Sequence, residues 1–255
     1  MHLSISETDL PSIKESLRKA HPNAKSSLRM EALARAVGFT TYAGLRARLD
    51  AGSVQVSVND AAFCEHLKLA SPSDDALRSL SRAIARAMLR SVLDAYPDLT
   101  LRGFDSIWQG DDRERAMPIP ERQALLAERR REGYDDDWAA DQFELAMIFL
   151  SRQRKIKTLN RKTGSYGLKH RAEGLSRHFG LFTHLGNYVA NGMLIAAAYA
   201  SGFTVRRIGF HSYNAFINIS METVRLARGH EGRSRRDDRR VVAEFYTKPD
   251  FRKVA

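Results

Sequence analysis

The run YVANGMLIAAAYASGF, residues 188–203, constrains the fold of this chain more than any other stretch. Asn191 can cap a helix over GMLIAAAYASG that Gly202 stops, and the helix so formed is apolar nearly all round. Such a helix has to be buried on every side, and its alanines demand close neighbours. The run is too short for a bilayer span and is interrupted by Asn191-Gly192, so its cover must come from protein. Upstream, SYGLKHRAEGLSRHFG places Leu168, Ala172, Leu175 and Phe179 at i, i+4, i+7 and i+11, a buried stripe of an amphipathic helix that Ser165 can cap. Lys169, Arg171 and Arg177 fall off that stripe. Downstream, FTVRRIGF, HSYN and AFINIS read as strand, turn and strand, a β-hairpin. Helix, connection, helix, hairpin is the order of a winged helix, in which one helix enters the groove and the hairpin touches the backbone. The connection LFTHLGNYVA is longer than a standard turn and has room for a helical turn of its own. The Ala-rich helix lacks charge, which makes it a poor recognition helix.

The rest of the chain reads as mainly helical, so the fold class expected is mainly α (α+β). Ser6 and Asp9 begin a helix that runs through Lys19. LRMEALARAVGF and YAGLRARLDAG follow as helix, tight turn, helix, with Thr40 or Thr41 capping the second. That hairpin serves packing or self-association more readily than a second nucleic-acid contact, because Gly44 falls where a helix-turn-helix wants a buried aliphatic residue. SVQVSV alternates and is β-branched, a short strand. NDAAFCEHLKL reads as a capped helix, and Ser73 caps a long one through SPSDDALRSLSRAIARAMLRSVLDAYPDL. On that helix Arg78, Arg82, Arg86 and Arg90 form one stripe, read as a solvated face. LRGFDSIWQGDDRERAMPIP is loop-rich, a candidate linker. Asp135, Asp136 and Asp137 stand at the start of a helix, where negative charge favours the helix dipole without any metal. The organisation expected is a helical hairpin module at 1–52, a strand and long helix at 53–110, an acidic helical connector at 111–150, and a basic winged-helix-like module at 151–255.

Charge separates along the chain. Residues 151–240 hold 18 Lys/Arg against 5 Asp/Glu, whereas residues 1–150 hold 20 against 23. Formal net charge is +11. A basic block beside an acidic one points to nucleic acid or another polyanion. Within the block, the loop KIKTLNRKT precedes the capped helix, so phosphate contact is expected from Arg154, Lys155, Lys157, Arg161 and Lys162. The helix start at Ser165 and the side chains of Lys169, His170 and Arg171 add to it. Arg206 and Arg207 on the first hairpin strand, with His211, Tyr213 and Asn214 at the tip, suit a wing. LARGHEGRSRRDDRR is arginine-rich and reads as a mobile segment that orders on a polyanion. VVAEFYTKPDFRKVA returns to strand-like character.

The pattern SYGLKHRAE, then YVANGMLIAAAYASGF, then NAFINIS, resembles an uncharacterised family of proteins from bacterial plasmids and phages. The resemblance implies a mobile-element setting. That family has no assigned activity, so no catalytic residue comes with it.

Enzyme motifs are sparse. GSYG is not a nucleophile elbow, since Thr163 occupies the first glycine position. Tyr166 and His170 share a helix face but have no carboxylate motif behind them. His170, His178 and His184 lack the spacing of zinc ligands, HExxH is absent, and neither nucleotide-binding glycine motif occurs. A lone Cys64 permits no intrachain disulfide. A metal-dependent nuclease would use Asp135, Asp136, Asp137, Asp141 or Glu144, though no Asp or Glu stands two residues before any lysine. The favoured function is non-catalytic binding of nucleic acid, double-stranded DNA before RNA. A nuclease is second, and a module whose basic face meets an acidic protein surface is third. No cofactor, metal or membrane partner is implied. MHLSISETDLPSIKESLRKA has no signal-peptide pattern, so a cytoplasmic protein is expected.

Overall fold

The computed structural model describes residues 2–131, 134 and 136–228. They fall into two units: residues 2–92 with 134 and 136–140, and residues 93–131 with 141–228. The protein is mainly helical with small antiparallel sheets, an α+β chain.

In the first unit β1 (His2–Ile5) leads through a 3-10 turn (Glu7–Asp9) into α1 (Leu10–Ala20). The Ser6 amide donates to Asp9 Oδ2 at 2.7 Å, and Pro11 lies in the first turn, where its missing N–H costs nothing. α2 (Ser26–Ala36) and α3 (Tyr42–Asp50) follow, and Thr41 caps α3 by accepting from the Gly44 amide at 3.1 Å. β2 (Val54–Ser57) pairs antiparallel with β1 and alternates buried and exposed side chains. Next come α4 (Asp60–His66), capped by Asn59, α5 (Asp74–Leu77), capped by Ser73, and α6 (Ser79–Ala95). Leu3, Ile13, Leu33, Phe63 and Ile84 are fully buried core residues of this unit.

The single long helix expected from Ser73 is therefore two. Asp60 gives the reason. Its Oδ1 accepts the amides of Leu80 at 3.1 Å and Ser81 at 2.9 Å, donors that an unbroken helix would spend on its own carbonyls. The Ala76 carbonyl is taken instead by the Ser79 hydroxyl at 2.8 Å and the Cys64 thiol at 3.3 Å.

The arginine stripe is not a solvated face throughout: Arg90 is exposed and Arg78 falls at the break between α5 and α6, but Arg82 and Arg86 are turned into the fold. Arg82 is buried, with 9% of its side chain exposed, and donates to Asp75 at 2.8 Å. Asp137 lies 3.5 Å from Arg82 and also pairs with Arg86. Guanidinium groups tolerate this burial because carboxylates neutralise them and accept their hydrogen bonds.

In the second unit β3 (Leu99–Thr100) and β4 (Gly103–Phe104) form a short hairpin, followed by α7 (Asp112–Ala116) and α8 (Ile119–Arg131). α9 (Asp137–Ser151), like α6, belongs partly to each unit. Asp136 Oδ1 accepts the Ala139 amide at 2.7 Å, so this carboxylate caps α9. Asp135 lies outside the described residues. Then come β5 (Lys155–Asn160), α10 (Ser165–Phe179), a 3-10 turn (Thr183–Leu185), α11 (Asn191–Ala200), β6 (Val205–Arg207), β7 (Ala215–Ile219) and α12 (Met221–Arg228). The last three strands make one antiparallel sheet in the order β5-β7-β6.

Residues 155–160 were expected as a loop and are strand β5. Charge made them look like loop. The backbone of β7 needed a second partner, and the half-buried Ile156 and Leu159 supply the strand with inward-facing side chains.

α11 is buried from Asn191 to Ala198, as its composition demands. The β3–β4 hairpin lies directly on it: the Gly192 amide donates to the Leu101 carbonyl at 3.0 Å. A Cβ on Gly192 would stand 1.8 Å from the Thr100 carbonyl oxygen, so only glycine permits this approach. Asn191 is the first residue of α11 and not its cap, which is Ala190. Its side-chain amide nitrogen lies 3.0 Å from the carbonyls of both Arg102 and Tyr213, tying the two hairpins of this unit together. Among the described residues no helix is long and apolar enough to cross a membrane. α12 covers the start of the arginine-rich segment; the rest of that segment and VVAEFYTKPDFRKVA lie outside the described residues.

Candidate nucleic-acid interface

The basic residues expected to meet phosphate divide into two groups. Lys157, Arg161, Lys162 and Arg206 are exposed, and among the described residues no carboxylate pairs with them. Lys157 stands on β5 and Arg206 on β6, while Arg161 and Lys162 stand on a fixed turn. The Asn160 side chain accepts the Lys162 amide at 2.9 Å and donates to the Ile219 carbonyl at 3.0 Å. One residue therefore closes the turn after β5 and anchors it to β7. Gly164 then passes close to the β6–β7 connection: a Cβ there would stand 3.0 Å from Ile208 Cδ1 and 3.5 Å from the Ala215 carbonyl. Arg161 and Lys162 thus stand on a turn pressed against the hairpin. Arg206 pairs in register with Phe216 on the far strand pair of the same sheet. Lys155 is also exposed, with its ammonium 5.2 Å from the centre of the Phe203 ring.

The second group is occupied. Ser165 does not cap α10; Gly164 holds that position. The Ser165 side chain is fully buried and accepts the Ala215 amide at 3.0 Å, which locks the helix start to β7. Lys169 was expected on the exposed side and is buried. Its ammonium donates to Glu173 at 2.7 Å and lies 5.1 Å and 4.8 Å from the ring centres of Tyr166 and Tyr188. Turning α10 so that Leu168 and Ala172 face the core also turns Lys169 inward, and Glu173 one turn later makes that tolerable. His170 Nδ1 lies 2.6 Å from the other oxygen of Glu173 and remains half exposed. Burial pushes the Glu173 carboxyl up. The hydrogen bonds from Lys169, His170 and the Val189 amide, with the charge of Lys169, outweigh that and hold it below the ordinary carboxylate range.

Arg207, expected as a wing contact, is half-buried and engaged within the fold. Its Nε donates to the Ser212 carbonyl at 3.0 Å, and its guanidinium also bonds the Gln109 side chain. It stands 5.9 Å from the ring centres of Phe104 and Phe210. Arg154 is exposed but paired with Glu222 at 2.7 Å. Arg171 is half buried and engaged. The tip residues include one that sequence reading passed over: Phe210, 62% exposed. Sequence reading passed over it because FTVRRIGF reads as strand to its end, whereas β6 stops at Arg207.

Three of the carboxylates named for a nuclease, Asp136, Asp137 and Asp141, have structural partners. Asp136 caps α9 and Asp137 pairs with the arginines of α6. Asp141 is fully buried and bonds His184 at 2.6 Å. In the first unit a cleft of about 510 Å³ is lined by His21, Ser79, Arg82, Arg86, Asp75 and Asp137. The carboxylates there already answer the guanidiniums. No family model, curated protein or solved structure matches the chain.

The residues of the SYGLKHRAE and NGMLIAAA patterns are thus mainly architectural. Ser165 holds β7, Lys169 and Glu173 close the segment before α11, and Asn191 joins the hairpins. The exposed cations lie outside those patterns: Lys157, Arg161 and Lys162 before the first, and Arg206 after the second.

Proposed function

We propose that this chain is a non-catalytic nucleic-acid-binding protein of a mobile genetic element, gripping DNA by its phosphates. The observation that carries the reading is the exposed set Lys157, Arg161, Lys162 and Arg206, without a carboxylate partner among the described residues, on and beside a turn fixed by Asn160. Cations held on a rigid frame lose little entropy when they meet a polyanion, and each phosphate neutralised releases a counterion. The order α9, β5, α10, α11, β6, β7, with β5 pairing β7, supports a winged-helix-like module. α11 departs from that plan. It is buried beneath the β3–β4 hairpin and presents no face for a groove. Contact through β5, the turn and β6 positions the protein on the backbone and carries no base code.

The test is the salt dependence of binding to unrelated DNA duplexes. Changing Lys157, Arg161, Lys162 and Arg206 together to Ala should flatten the slope of log affinity against log salt by roughly 2 to 4 units. The loss should be alike across sequences, and the thermal midpoint should hardly move, since all four are exposed. An unchanged slope in the folded variant would remove this surface from consideration.

A further inference from the structure

We infer that this interface takes nucleic acid whose bases are unpaired, with Phe210 and Tyr166 stacking on those bases while the neighbouring cations hold the phosphates. The inference rests on the phosphate-binding reading above and adds the class of ligand.

The surface next to the cationic turn is not an ordinary solvated face. Ile208 is 40% exposed, Tyr166 55% and Phe210 62%, and Phe210 is the most exposed large apolar side chain among the described residues. A Cβ on Gly164 would stand 3.0 Å from Ile208 Cδ1, Phe210 follows Ile208 by two residues, and Tyr166 is the second residue of the helix that Gly164 caps. Beside Phe210 stand the guanidinium of Arg207 at 5.9 Å and the ring of His211, edge-on at 5.0 Å. The connection is ordered: the Ile208 amide donates to the Asn214 carbonyl at 3.0 Å, and the Asn214 amide to the Ser212 hydroxyl at 3.1 Å.

A phenyl ring left in water on a fixed hairpin forfeits the gain that burial would give. Within a paired duplex the bases already stack on each other and offer no π-face. An unpaired base offers two. Cations tracking a backbone, interleaved with aromatic rings, are the combination that holds single strands with little regard to sequence. Anionic lipid would also suit cations and rings. The same connection, however, carries the exposed imidazole of His211, which can meet a base edge where a lipid surface offers no fixed partner. The burial of α11 points the same way, since base contact then has to come from the hairpin end.

The experiment measures affinity for three probes at one salt concentration: a blunt DNA duplex, that duplex with a tail of unpaired thymines, and a thymine-only strand. A single strand has the lower density of charge, so tighter binding to it cannot be electrostatic in origin. The tailed and single-stranded probes should bind more tightly than the blunt duplex. The double variant Phe210→Ala, Tyr166→Ala should lose roughly tenfold or more on the thymine probes and less than twofold on the blunt duplex. Phe210→Trp should keep the preference, which separates stacking from damage to the hairpin. Equal binding to all three probes, untouched by the Ala changes, overturns the inference and leaves phosphate binding standing. Failure to bind any probe overturns both. If the Ala changes instead abolish binding to phosphatidylserine vesicles and leave every nucleic-acid affinity unchanged, the rings belong to a membrane contact and the inference falls.

Discussion

Replacing Gly192 by Ala sets helix propensity against tertiary packing, and the two predict opposite signs. Gly192 is the second residue of α11, and alanine there should favour the helix by up to about 1 kcal/mol. The structure says otherwise. The added Cβ would stand 1.8 Å from the Thr100 carbonyl oxygen, 2.9 Å from its carbon and 3.1 Å from the Leu101 carbonyl carbon. Real Cβ atoms essentially never come within 3.0 Å of such neighbours, so the β3–β4 hairpin must retreat by more than 1 Å. Backbone cannot rotate out of the way as a side chain can. Retreat breaks the Gly192 amide bond to Leu101 and loosens the Asn191 bond to Arg102. Overpacking of this kind costs about 1–3 kcal/mol, and a lost buried hydrogen bond about 1 more. Against a propensity gain of up to about 1 kcal/mol, the variant should be destabilised by roughly 1–3 kcal/mol. Urea unfolding followed by circular dichroism reads this as a lower midpoint at unchanged slope. A Gly192→Ala protein as stable as the parent, or more so, would mean that the hairpin does not lie on α11 as described.

Two further outcomes follow from named contacts. Asp136 and Asp137 look equivalent in sequence and should not behave alike. Asp136→Asn keeps a good cap and should change stability by less than about 0.5 kcal/mol. Asp137→Asn weakens the pairing of Arg82 and Arg86 and should cost about 1–2 kcal/mol, a range discounted because Asp137 itself is half exposed. Thermal melts of the two variants side by side check the difference, and equal effects would refute the ion-pair assignment. Glu173, whose folded carboxyl sits below its ordinary value of 4.5, stabilises the fold above that pH and loses the contribution as pH falls through the depressed folded value. Glu173→Gln should therefore lower the urea midpoint at neutral pH and flatten its dependence between neutrality and acid; an unaltered acid limb would show that this carboxylate does not couple to folding.

What the sequence determined by itself was set by local chemistry. α11 announces its burial because no face of it is polar, and the Leu168, Ala172, Leu175 stripe announces the inward side of α10. Caps were legible where a side chain reaches its own helix: Ser73 outright, Thr41 as one of the pair Thr40 and Thr41, and Asn59 as one of the pair Asn59 and Asp60. The hairpin after α11 was legible because alternation and turn residues are local too. Tertiary structure decided everything that depends on a partner far along the chain. Charge alone cannot tell a solvated arginine from Arg82, whose burial depends on Asp75 and Asp137. It cannot tell Lys162, exposed on a turn, from Lys169, shut between two tyrosines over Glu173. β5 looked like a loop because its pairing partner lies about sixty residues on, across two helices. The break between α5 and α6 is written in Asp60, a residue of another helix. In each case the sequence states a residue's desolvation cost, while only the folded chain states whether a hydrogen bond or opposite charge is there to offset it.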